Sequence, residues 1–260
     1  MTMTLTWESD QNLTCDAFLG GQLSVWQPRV GYRAGVDPVL LAAAVTATPG
    51  QAVLELGCGV GVAGLCLQKR VGALALTGLE LQAEYAGLAQ RNAAANELTF
   101  EIVSGDLANM PLKLREQSFD HVIANPPYYD RSSGTASENT GRETSLGEVL
   151  PLVTWIDAAT RRLSPKGFLT IIQKADRLPD LLAASDDRLG DMRLLPLVPR
   201  LGKAAELIIF RARKGAKGGF RLLSPVVLHD GGEHREDGDD YSNEARAILR
   251  DGKQLEVDWR

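Results

Sequence analysis

From residue 51 to residue 173 short apolar runs alternate with stretches of helical periodicity, and this alternation constrains the fold more than any other property of the chain. Residues 51–56 read as a buried strand and 61–71 as the helix after it; 73–79 read as a second strand and 82–95 as an alanine-rich helix. Residues 100–103 and 119–124 are further strands. Residues 147–163 form an amphipathic helix stopped by Ser164-Pro165-Lys166-Gly167, and 168–173 the next strand. Strands separated by helices pair in parallel through crossovers, and the helices cover both faces of the sheet. The predicted fold is therefore α/β, a doubly wound Rossmann-like sheet with its ligand site beyond the carboxyl ends of the strands.

The pattern changes after residue 176. A helix over 178–185 precedes three strand candidates, 194–198, 205–213 and 220–228. The last two flank Lys214-Gly215-Ala216-Lys217-Gly218-Gly219, a glycine-rich turn that suits an antiparallel hairpin closing the sheet. Residues 230–240 are acidic and glycine-bearing, a surface loop. No linker interrupts the 260 residues, so one domain is expected, with a catalytic core over 51–230 and a tail over 231–260.

Several classes are excluded at this stage. The longest apolar run, residues 39–45, has seven residues against the ~20 that span a bilayer, so no membrane span is expected. The N-terminus lacks the basic stretch and apolar core of a secretory signal. Cys15, Cys58 and Cys66 form no CxxC pair, as in a reduced cytoplasmic protein. His121, His229 and His234 have no carboxylate or cysteine at ligand spacing, so no metal is expected. No obligate protein partner is indicated.

Glu55-Leu56-Gly57-Cys58-Gly59-Val60-Gly61 places three alternate glycines directly after the first buried strand. Glycine there lets the backbone turn sharply and approach a ligand, with the N–H groups of the next helix exposed. Residues 59–64 also spell GxGxxG, the dinucleotide fingerprint, so a nicotinamide or flavin enzyme is one reading. Glu55 points elsewhere: a carboxylate at the strand end suits a ligand with a cationic amino group better than a pyrophosphate. Glu80 ends the second strand, where it can accept from a ribose diol, and Asp106 ends the third, within reach of an adenine amine.

Ala124-Asn125-Pro126-Pro127-Tyr128 follows the fourth strand. Two prolines fix the backbone and remove two donors, leaving the Asn125 side-chain oxygen and the Pro126 carbonyl as acceptors beside an aromatic face. That set suits a planar exocyclic amine. Such a nitrogen is a poor nucleophile because its lone pair is delocalised; accepting both its hydrogens localises the lone pair and aims it. Tyr128 can stack on the flat substrate.

Taken together, these motifs resemble class I S-adenosylmethionine-dependent methyltransferases that act on amino nitrogens. Nearly end to end the chain resembles the bacterial tRNA1(Val) adenine-37 N6-methyltransferases. Gly31-Tyr32-Arg33-Ala34-Gly35-Val36-Asp37-Pro38, Lys174-Ala175-Asp176-Arg177-Leu178 and Asp240-Tyr241-Ser242-Asn243-Glu244 extend the match beyond the core. The resemblance implies S-adenosyl-L-methionine as cofactor, with Gly57, Gly59 and Gly61 around its methionine part. It puts Glu80 at the ribose and Asp106 with Leu107 at the adenine, and counts Glu55, Leu81 and Asn125 among the cofactor contacts. Residues 1–50, with Arg33 and Asp37, would fold over the cofactor, and Asn125, Pro126, Pro127 and Tyr128 would hold the target adenine. One departure is Gly141-Arg142-Glu143, where the family often carries an Arg-His-Glu-like cluster.

A net charge of −5 argues against a polyanionic partner, but residues 193–222 hold eight basic residues against the single acid Glu206. Arg200, Lys203, Arg211, Arg213, Lys214 and Lys217 are accordingly candidate RNA contacts, a tRNA being the implied partner. Residues 129–143, polar and glycine-bearing, read as a substrate loop. Two alternatives share the chemistry: methylation of adenine or guanine amines in ribosomal RNA, and of a glutamine side chain in a release factor. The latter enzymes carry a separate N-terminal helical domain, for which the roughly 50 residues before the first strand are too few.

Overall fold

The computed structural model describes residues 10–128, 150–231 and 240–259. In chain order the elements are β1 (Leu13–Phe18), β2 (Leu23–Pro28), α1 (Asp37–Ala44), β3 (Ala52–Leu56), α2 (Val62–Val71), β4 (Ala75–Glu80), α3 (Ala83–Ala95) and β5 (Glu101–Ser104). They continue with α4 (Leu112–Arg115), β6 (Phe119–Ala124), α5 (Leu152–Arg162), β7 (Leu163–Lys174), α6 (Leu178–Ala184), β8 (Leu189–Val198), β9 (Leu207–Lys214), β10 (Arg221–Leu222), β11 (Val226–Val227) and α7 (Asn243–Asp251).

The main sheet runs β10-β8-β9-β7-β6-β3-β4-β5, with β11 also on β8. Among the described strands of this sheet only β9 runs antiparallel, to both β7 and β8. The chain winds outward from β3 through β4 to β5, then crosses back to β6 on the other side of β3. Strand order therefore reverses between β3 and β6, the place beyond whose strand ends such sheets bind their ligands. Strand residues alternate between two cores. Val53, Ile123, Ile172 and Ile209 face α1, α2, α3 and α7; Leu54, Val122, Ile171 and Phe210 face α4, α5 and α6.

The expected hairpin is present with different strands. β9 pairs with β8, Leu197 opposite Leu207 and Leu189 opposite Lys214, while residues 221–222 and 226–227 add in parallel to the outer side of β8. Apolar content decides the inner place: Leu194, Leu195 and Leu197 of β8 are buried, whereas Arg221 and Leu222 are exposed. β8 also begins earlier than expected, because a register shift between Gly190 and Arg193 breaks its alternation.

The antiparallel ribbon β1–β2, α1, the short α4 and α7 had no counterpart in the sequence reading. Asn92 of α3 ties the ribbon to the sheet. Its carbonyl accepts from Trp26 N–H (2.8 Å) and its amide donates to the carbonyls of Trp26 (3.1 Å) and Val60 (2.9 Å). The expected substrate loop, the start of the helix at 147, and Gly141-Arg142-Glu143 lie outside the described residues. No described helix is long and apolar enough to cross a membrane.

Candidate active site

Gly57, Gly59 and Gly61 all adopt left-handed backbone, with φ of 63°, 55° and 89°. A Cβ at Gly57 would stand 2.6 Å from the indole of Trp155 on α5, so glycine is required there by conformation and by space. Glu80, ending β4, stitches the loop in place. One carboxylate oxygen accepts from Gly59 N–H (2.8 Å) and the other from Gln82 N–H (2.9 Å). Burial raises its carboxyl above the ordinary range, with those N–H groups opposing the shift.

Glu55 is differently placed from what its position suggested. It is buried beneath the loop, where its carboxylate accepts from Gly64 N–H (2.8 Å) in the first turn of α2. Burial pushes its carboxyl up to about 8. Asp106 closes its own turn by accepting from Ala108 N–H (2.8 Å), with Leu107 buried behind it and Leu81 exposed at the end of β4.

The segment before α1 comes over this loop. The Tyr32 ring lies 3.6 Å from the place of a Cβ on Gly59, and Tyr32 N–H donates to the Tyr85 hydroxyl (3.0 Å). Arg33 turns away toward the ribbon, donating to Thr14 (2.7 Å), the Pro28 carbonyl (2.8 Å) and Asp16 (2.6 Å). Asp37 opens α1 and accepts from the Tyr128 hydroxyl.

Asn125 follows β6 directly, and its side-chain oxygen is buried with no hydrogen-bond partner among the described residues. Pro126 is buried and Pro127 exposed. Tyr128 is half-buried; its phenol is held above its ordinary range by burial and then by the Asp37 carboxylate. The Lys174 ammonium sits 5.6 Å from its ring centroid, and Arg177 donates to its carbonyl (3.5 Å). Gln173, which sequence reasoning missed, donates to the Pro126 carbonyl (3.3 Å). Its one legible signal was a polar residue ending a buried apolar strand.

The basic residues divide. β9 runs opposite to β7, so Arg213, Lys214 and Lys217 lie toward the end of the sheet away from Asn125, while Arg211 sits mid-strand opposite Thr170. Arg211 is buried, its guanidinium 4.1 Å from the Phe168 ring and 5.1 Å from that of Trp259. Arg213 donates to the Lys166 carbonyl (3.1 Å) and Lys214 to that of Leu163 (2.6 Å). The β8–β9 connection instead lies at the site end. There Arg200 pairs with Asp240, and Lys203 is exposed beside Leu201.

A family model described as "Methyltransferase small domain" matches residues 33–185. A tRNA1(Val) (adenine(37)-N6)-methyltransferase from Porphyromonas gingivalis is 35% identical, covering 69% of this chain and 73% of its own. One of the same description from Dickeya chrysanthemi is 25% identical over 92% of this chain and 94% of its own. Among solved structures, a predicted O-methyltransferase from Agrobacterium tumefaciens superposes with a TM-score of 0.68 at 23% identity, covering 84% of this chain and 97% of that one. A 16S rRNA N2 G1207 methyltransferase from T. thermophilus gives 0.55 at 19% identity over 78% of this chain and 50% of that one. These last two share the fold. The glycine loop and the Asn-Pro-Pro-Tyr turn thus fall within the matched residues, and the chain belongs to the methyltransferase small domain family, among the tRNA1(Val) (adenine(37)-N6)-methyltransferases.

Proposed function

We propose that this enzyme transfers a methyl group from S-adenosyl-L-methionine to N6 of adenine 37 in a tRNA. The observation that carries the reading is the buried, unpartnered side-chain oxygen of Asn125 beside the Pro126 carbonyl, at the switch point of the sheet. A buried acceptor without a donor is costly, and an amine offering two N–H groups would relieve it.

The residues present fit the cofactor. The left-handed glycines leave the loop backbone bare, the first N–H groups of α2 follow, and the acid Glu80 ends the neighbouring strand. Gly57, Gly59 and Gly61 would hold the methionine part, Glu80 the ribose, and Asp106 with Leu107 the adenine. Glu55 acts under the loop by fixing the start of α2. When bound, S-adenosylmethionine supplies a methyl group on a positively charged sulfur, which makes that carbon electrophilic. Asn125 and Pro126 accept the two hydrogens of the target amine, draw its lone pair out of conjugation and aim it; they take no proton themselves, and the nitrogen, acidic once methylated, releases one proton to water. Tyr128 presents its ring to the base, which in an anticodon loop is already unpaired and cheap to extrude.

Residues before α1 cover the cofactor loop, so the chain works as a single methyltransferase unit. A tRNA substrate puts the enzyme in the cytoplasm. Radiolabelled methyl transfer to total RNA from cells lacking the enzyme, followed by nucleoside mass spectrometry, tests the reading. N6-methyladenosine confined to the tRNA fraction supports it. Labelling of ribosomal RNA alone would keep the chemistry and move the substrate, and no labelling of RNA would redirect it to protein glutamine.

A further inference from the structure

The Asn-Pro-Pro-Tyr turn has a mechanical problem. Pro126 and Pro127 carry no N–H, so neither can anchor the turn by donating to its surroundings. Yet the Pro126 carbonyl must point steadily if it is to accept from a substrate amine, and the hold has to come from another element.

Gln173 supplies it. This side chain is fully buried at the end of β7, the strand next to β6, with Ala124 opposite Ile171. The Lys174 backbone N–H donates to the Gln173 Oε1 (2.8 Å). A backbone donor can meet only the oxygen of that amide, which turns Nε2 toward the Pro126 carbonyl, 3.3 Å away. A carbonyl oxygen has two lone pairs, so one is engaged by Gln173 and the other stays available. The same stretch of chain grips the far side of the turn, through Lys174 against the Tyr128 ring and Arg177 on the Tyr128 carbonyl. Residues 174–178, shared with the family, thereby acquire a local role.

Resting on the reading of Asn125 and Pro126 as the amine's acceptors, we propose that Gln173 is a positioning residue for the methyl transfer, fixing the Pro126 carbonyl so that its free lone pair faces the substrate nitrogen. Gln173 never touches the substrate. A glutamate at this place could do the same only while protonated, because its carboxylate would set oxygen against oxygen.

The test uses the full chain and an unmodified transcript of a tRNA with adenine at position 37. With Gln173→Leu, kcat should fall about 10- to 100-fold, while KM for the transcript and the Kd for S-adenosylmethionine change less than about threefold. With Gln173→Glu, the ratio of variant to wild-type kcat should rise as pH is lowered from 9 to 6. Glu55, Asp37, Tyr128, Lys174 and Arg177 are present in both proteins, so what they contribute to the pH profile divides out of that ratio. A Gln173→Leu enzyme within twofold of wild-type kcat, or a Gln173→Glu ratio flat across that range, overturns the proposal. If Gln173→Leu does not fold, the Gln173→Glu ratio decides alone. If the wild type methylates no adenine, the functional reading fails. The carbonyl grip is then judged by the 13C resonance of the labelled Pro126 carbonyl in Gln173→Glu between the same pH values. A shift with pH upholds the grip and an unmoved resonance removes it.

Discussion

The Tyr128 hydroxyl donates to the carboxylate of Asp37, so the turn proposed to hold the substrate is fastened to the first residue of α1. Asp37 ends the segment that brings Tyr32 over Gly59. One hydrogen bond thus joins the cover of the cofactor loop to the face that receives the base.

Two substitutions separate the ring from its fastening. Tyr128→Phe keeps the stacking surface and should cost only a few-fold in kcat/KM for tRNA. Tyr128→Ala removes a base–aromatic stack worth about 1–3 kcal/mol and should cost about 10- to 100-fold. Steady-state kinetics on the same transcript reads both, and equal losses would mean that the hydroxyl matters more than the ring.

Asn125→Ala removes an acceptor aimed at the amine. Turnover should fall by about 10²–10³-fold, the scale set by loss of one oriented hydrogen-bonding group in a transition state. Affinity for S-adenosylmethionine, measured by titration calorimetry, should stay within a few fold. Parallel loss of both would make Asn125 a cofactor residue.

Glu80→Ala should act in the opposite way. It deletes the carboxylate at the ribose position and leaves Gly59 N–H without its acceptor, so cofactor affinity should fall by about 1.5–3 kcal/mol. Unchanged calorimetric affinity would remove the ribose assignment.

Burial raises the Glu55 carboxyl from 4.5 to about 8 in the folded chain. Between those values the folded protein keeps a proton that the unfolded chain releases, so this group makes stability fall as pH rises through the window and level off above it. Glu55→Gln still offers an oxygen to Gly64 N–H and has no charge to bury. Its melting temperature should gain on that of the wild type from pH 5 to pH 8 in cofactor-free protein; a constant difference would place the titration elsewhere.

The arrangement of the basic residues was not legible in the sequence, and its consequence is testable. Lys203→Ala at the site end should raise KM for tRNA and lower the slope of log affinity against log salt by about 1. Lys217→Ala, at the opposite end of the sheet, should do neither. A larger effect from Lys217 would put the RNA across the far edge.

What the sequence made readable follows the physics of each signal. The strand–helix alternation, the glycines and the Asn-Pro-Pro-Tyr turn are local: each residue's conformation or chemistry states its own place. The antiparallel pair was assigned to the wrong strands because a glycine-rich turn announces a reversal of direction but not its partner, and β8 took that place by its buried leucines. Charge counted along the chain could not reveal that Arg211 is stacked inside the molecule while Lys203 is open, since β9 spaces its ends across the whole sheet. Gln173 escaped notice for a similar reason. Its role exists only across two strands, in a hydrogen bond to a residue 47 positions earlier.

The central claim is tested most directly by methylating two tRNA transcripts that differ only at position 37, one with adenine and one with guanine. Wild-type enzyme should place one methyl group on the adenine transcript, mapped by fragment mass spectrometry to N6 of residue 37, and none on the other. Methylation of the guanine transcript, or at any other residue of either, would contradict the assignment of Asn125 and Pro126 to the adenine amine at that position.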